Sequence, residues 1–83
     1  MTLGVYSVVD SKTGIYAHPF YSVTNGAAIR SFVDACADKD SPFARHPEDY
    51  CLVHLGWFDD QRGSFDTKLP EVLITAVNAI VEA

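Results

Sequence analysis

Hydrophobic and polar positions along this chain switch repeatedly between the twofold period of strands and the longer period of helices. Residues 3–10 put Leu3, Val5 and Val9 on one face and Tyr6 and Val8 on the other, a strand apolar on both sides. Asp10-Ser11-Lys12-Thr13-Gly14 follows as a turn, with Asp10 able to bond the backbone ahead and Gly14 free to take positive φ. Residues 15–21 predict a returning strand, and Pro19, which has no ladder donor, marks it as an edge or its end. Thr24 is positioned as the N-cap of a helix reaching about residue 37, with Ala28, Ile29, Phe32, Val33, Ala35 and Cys36 as its apolar stripe. A polar exit at residues 38–42 then leads into a loop through Phe43, Ala44 and Arg45.

From Tyr50 the alternation resumes, and neither the Tyr50, Leu52, His54, Phe58 face nor the Cys51, Val53, Leu55, Trp57 face is polar. That is the signature of a central strand. Asp59-Asp60-Gln61-Arg62-Gly63 repeats the chemistry of the first turn, so each hairpin tip carries one cation, Lys12 or Arg62. Further on, Pro70 suits a first helical turn and Glu71 the positive end of a helix dipole. Glu71, Thr75, Asn78 and Glu82 fall in one narrow polar stripe at helical spacing, which predicts a last helix over 70–82 apolar around most of its circumference. The expected fold is α+β: a small antiparallel sheet of about four strands with two helices, in approximate ββα-ββα order, forming a single domain over 1–83. A chain of 83 residues buries a modest core, so the last helix or a sheet face is expected to meet a second copy, making a homo-oligomer.

Charge changes the picture of possible partners. The chain has six basic and eleven acidic residues, a net charge of −5, so long-range attraction to nucleic acid is absent and phosphate contact requires a local cluster of cations. Two cysteines, Cys36 and Cys51, are too few for a disulfide framework, which points to reduced thiols inside a cell. No apolar run reaches the roughly 18 residues of a membrane span, and the first residues lack a signal-peptide pattern. No membrane partner is expected.

Candidate chemistry is sparse. His18, His46, His54 and the two cysteines lack paired metal-ligand spacing. Cys51 and His54, three apart in a strand, point to opposite faces, which also disfavours a nucleophile–base pair. Glu48-Asp49 and Asp59-Asp60 are neighbours in turns, where solvation or capping explains them. Neither a cofactor, a metal site nor catalysis is expected. Rings beside cations can stack on unpaired bases. That makes Phe20, Tyr21 and Phe43, read as loop residues, candidates for base contact, beside Lys12, Arg30, Arg45, His46 and Arg62 for phosphates.

Several blocks are specific enough to compare with a known family. Val9-Asp10-Ser11-Lys12-Thr13-Gly14, Pro19-Phe20, Ala28-Ile29-Arg30-Ser31-Phe32, Ser41-Pro42-Phe43, His46-Pro47-Glu48-Asp49-Tyr50 and Leu55-Gly56-Trp57-Phe58-Asp59-Asp60 resemble the small nonstructural protein of gokushovirus-type microviruses. These are single-stranded DNA phages of bacteria (Microviridae, Gokushovirinae). The resemblance runs to about residue 60 and weakens over the last segment. It implies a DNA-binding or single-stranded DNA synthesis protein made in the host bacterial cytoplasm, without catalytic residues to carry over. The expected function is therefore a non-catalytic aid to single-stranded DNA genome replication, or to the switch to packaging, through weak binding of single-stranded DNA by an oligomer. The alternative is an adaptor that contacts the replication initiator or capsid precursor without touching DNA, its acidic surface meeting a basic partner through residues such as Asp59 and Asp60.

Overall fold

β-Branched and aromatic runs separated by Asp-to-Gly turns form antiparallel ladders. In the computed structural model, which describes residues 1–82, they build one antiparallel sheet. Strand β1 (Thr2–Asp10) lies inside it, flanked on one side by β4 (Tyr50–Asp59). On its other side, β2 (Ile15–Tyr16) and β3 (Phe20–Ser22) pair with successive parts of β1. Strand β5 (Ser64–Thr75) pairs with β4 and forms the opposite edge. Helices α1 (Asn25–Ala37), α2 (Pro42–Arg45) and α3 (Ala76–Glu82), with a 3-10 turn at Pro47–Asp49, complete the fold.

The class is α+β, as expected, with five strands and three α-helices among the described residues where about four and two were read. The extra strand arises because the expected strand over 15–21 is interrupted. Ala17 still donates its N–H to the Val8 carbonyl at 2.9 Å, but the chain then kinks at His18-Pro19, and the Ser7 hydroxyl donates to the Ala17 carbonyl at 2.7 Å. β2 and β3 are the two ends of that edge strand, and Pro19 sits in the gap where no ladder donor is needed. The extra helix replaces the expected loop through residues 43–45. Ser41 caps it by accepting from the Ala44 N–H at 3.2 Å, and Pro42 occupies its first turn.

The expected last helix over 70–82 is corrected more deeply. Residues up to Thr75 belong to β5, where Val72, Ile74 and Thr75 sit opposite Val53, Leu52 and Cys51. Only Ala76–Glu82 is helical, with the Thr75 hydroxyl accepting from the Asn78 N–H at 3.2 Å. Pairing with a central strand outweighs the local helix-start signals, and β-branched Val72, Ile74 and Thr75 suit that pairing. Pro70 is tolerated because β5 bulges there: His54 is opposite Glu71 and Gly56 opposite Thr67, so two steps on β4 span four on β5.

Both turns form as read. Gly14 and Gly63 take φ of 75° and 65°, donating to the Asp10 and Asp59 carbonyls at 2.7 and 2.8 Å. Thr24 caps α1 by accepting from the Ala27 N–H at 3.1 Å. The core lies on one face of the sheet, where Tyr6 and Leu52 meet Phe32 and Cys36 of α1 and Ala79 of α3. The other, open face lies outside this cluster, its centre at Val5, Ser7 and Val53 buried and its rim exposed. Alternation along the strands places Val5, Tyr21, Phe58, Phe65 and Val72 on it.

Candidate nucleic-acid interface

Three of the five residues expected to contact phosphates gather at one end of the sheet. The β1–β2 turn carrying Lys12 is fastened to the 3-10 turn, because the Ser11 N–H and hydroxyl both donate to the Asp49 carbonyl, at 2.7 and 3.0 Å. Arg45 ends α2 and His46 links α2 to that 3-10 turn, both exposed. Lys12, Arg45 and His46 therefore share this end with acidic groups: ligand-type atoms of His46, Glu48 and Asp49 lie within 4.8 Å of one another, an arrangement that solvated turn charges adopt without an ion.

The remaining cations lie elsewhere. Arg62 occupies the β4–β5 tip, beside the start of β1 where Thr2 faces Asp59, so the nine residues of β1 separate it from Lys12, roughly 30 Å. Arg30 is exposed on α1, on the rim of an open groove with Thr24, Ala27 and Ser31.

The three candidate rings divide between core and surface. Phe20 and Phe43 were read as loop residues, but Phe20 opens β3 and Phe43 lies in α2. Both pack against the core, Phe20 with its ring 5.8 Å from Tyr6, Phe43 between Phe32 and Tyr50 at 5.5 and 5.1 Å. They line an apolar cavity of about 240 Å³ against α1. Tyr21 is 48% exposed and sits 5.8 Å from Phe58, which in turn is 4.8 Å from Phe65. Phe58 and Phe65 were absent from the expected site. The turn register holds the signal that finds them, because pairing Asp59 with Ser64 makes Phe58 and Phe65 direct cross-strand partners.

His54 is buried as a core histidine. Its ring stacks on Tyr6 at 4.9 Å and meets Trp57 edge-on at 4.9 Å. Among the described residues neither ring nitrogen has a hydrogen-bond partner, and Nδ1 lies 3.8 Å from Glu71. Glu71 itself is held by Lys68 at 2.6 Å, which keeps its carboxyl below the usual range, with His54 a lesser cause. Lys68 also lies 5.0 Å over the Trp57 ring. The carboxylates invoked for an adaptor have local roles: Asp60 accepts from the Met1 ammonium at 2.7 Å, and Asp59 caps the Gln61 and Arg62 N–H groups. No helix among the described residues is long and apolar enough to cross a membrane.

The family described as "Phage ORF5 protein" matches residues 3–79. The chain belongs to the phage ORF5 protein family. It is 35% identical to Protein ORF5 of Chlamydia phage 1 over 83 residues, which cover 95% of this chain and 85% of that protein. No solved structure matches. The gokushovirus resemblance read from the turn and strand blocks is borne out, because that relative is the ORF5 protein of a gokushovirus. The match continues to residue 79, through β5 and into α3, beyond the point where the resemblance was judged to fade. This ORF5-family chain is thus of phage origin, from the microvirus type of single-stranded DNA virus.

Proposed function

We propose that this chain is a non-catalytic, nonstructural phage protein that assists single-stranded DNA genome replication, or the switch to packaging, in the cytoplasm of the infected bacterium. In this reading it acts as a homo-oligomer that holds single-stranded DNA weakly. Membership of the phage ORF5 family supports the setting. The observation that carries the DNA contact is the double hydrogen bond from Ser11 to Asp49, which draws Lys12 to the Arg45-His46 segment across 38 residues of sequence. Few cations in a chain of net charge −5 means weak binding with a shallow salt dependence.

The two cations of this cluster, Lys12 and Arg45, correspond to a loss of roughly 1.4 decades of affinity for a tenfold rise in salt, at about 0.7 decades per phosphate contact on single strands. Fluorescence anisotropy of a labelled oligothymidylate at two salt concentrations reads this directly. Binding at low salt that weakens by about that much, and is lost in Lys12→Glu/Arg45→Glu, is the expected result. No binding at low salt sinks direct contact.

Glu48 and Asp49 lie beside His46 at this end of the sheet, and this favours a second reading, an adaptor contacting the replication initiator or capsid precursor without DNA. It predicts that Arg45→Glu leaves the anisotropy unchanged.

A further inference from the structure

We propose that the open face of the sheet is the contact between two copies of this chain. The inference rests on the oligomeric reading above and gives it a surface. The sheet segregates charge in an unusual direction. A sheet face left to water ordinarily alternates in polar residues, yet among the described residues no strand Asp, Glu, Lys or Arg lies on this one. Asp10, Asp59, Asp66 and Glu71 fall by register on the face that also carries Tyr6, Trp57 and His54, and Lys68 lies over the Trp57 ring on that same face.

Apart from Thr67, the exposed positions of the open face are instead large and apolar. Tyr16, Tyr21, Phe65 and Val72 are 45%, 48%, 56% and 58% exposed, while Val5, Ser7 and Val53 between them are buried. Tyr21, Phe58 and Phe65 run as a continuous row of rings across the strands. The face therefore has a formed centre and a wet apolar rim.

What covers it follows from its chemistry and size. A nucleic acid needs cations to hold its phosphates, and the face has none. A charged protein would find no partner charges there. A second copy brings an identical neutral, aromatic surface, which a twofold axis can oppose to the first. Two such faces stack about 10 Å apart as in a sandwich. Strand β1 has nine residues; at about 3.3 Å each, with four strand positions about 4.8 Å apart, the face measures roughly 30 by 20 Å in projection. Because Val5, Ser7 and Val53 are already buried, the contact is made by the exposed rim of Tyr16, Tyr21, Phe65 and Val72, and it is smaller than the ~800 Å² each partner contributes to a standard stable interface.

Sedimentation equilibrium of the full chain without DNA tests this separately from the DNA reading. The expected mass at micromolar concentration is that of two chains. Phe65→Lys and Val72→Lys, both at exposed positions, are each expected to raise the dimer dissociation constant about thirtyfold or more with unchanged far-UV circular dichroism. Val81→Lys, on α3 and 80% exposed, is expected to leave the mass doubled. A single-chain mass for the unmodified protein overturns the proposal, including the case in which Phe65→Lys instead weakens DNA binding. It is also overturned if Val81→Lys dissociates the dimer while the two face variants do not, or if both face variants remain dimeric.

Discussion

Gly56 marks the point where β4 bends. Its φ is 152°, and the Asp66 carbonyl and the Thr67 Cα of β5 occupy the place where a Cβ would stand. Leu55, immediately before it, is the extra residue between the Tyr6–His54 and Val5–Gly56 pairs. Gly14 also has positive φ, but open space surrounds it. The two sites separate backbone strain from collision. Gly14→Ala should cost about 1–2 kcal/mol, the left-handed penalty for one residue. Gly56→Ala adds a clash with backbone that cannot swing away, and should cost on the order of 3–4 kcal/mol. Urea denaturation of both variants reads the difference, and equal losses would mean that β5 moves aside at no cost. A glycine in an apolar run is conspicuous in sequence, but what approaches it depends on the register of a strand ten residues later.

Local hydrogen-bonding chemistry decides much of the element boundaries. Thr24 and Ser41 each satisfy an N–H in the first turn of a helix, at 3.1 and 3.2 Å. Loss of such a cap typically costs about 1 kcal/mol, so Thr24→Val and Ser41→Ala should each lower stability by that amount in chemical denaturation, with folding retained. Elements governed in this way were legible: β1, both Asp-to-Gly turns, the start of α1 and the whole of β4. The boundary between β5 and α3 was not. Pro70, Glu71 and the polar stripe satisfy every short-range rule for a helix, and only the opposition of Val72 to Val53 and Ile74 to Leu52 overrides them. The candidate site divides along the same line. Lys12, Arg45 and His46 could be named from residue type, whereas their convergence depends on Ser11 meeting Asp49 from far along the chain. Phe43 was placed in a loop because the Ser41 cap went unread, and Phe20 because Pro19 was taken as an end of the strand expected over 15–21.

Across the whole molecule, protons and charge act in one direction at alkaline pH. The Met1 ammonium is raised above its ordinary value chiefly by its bond to Asp60, and burial pushes up the Cys36 and Cys51 thiols and the Tyr6 phenol. Each of these groups favours its protonated form in the folded state. Their stabilisation is complete below the unfolded values, which begin near 8 for the amine, and is lost as pH rises through the folded ones. Glu71 is the opposite case: its lowered value gives stabilisation above the unfolded carboxylate range that is lost as pH falls through the folded value. Against that single exposed carboxylate, two thiols and a phenol on the alkaline side carry more weight, and a net charge of −5 grows more repulsive as they ionise. The urea midpoint, measured with a reductant present, should be flat from about pH 5.5 to 7.5 and fall steadily above about 8. Asp60→Asn removes the partner of the Met1 ammonium and should blunt the first part of that decline without altering the later, thiol-dependent part. A midpoint that rises between pH 8 and 10 would contradict the assignment, because it would require these groups to fold more favourably in their deprotonated forms.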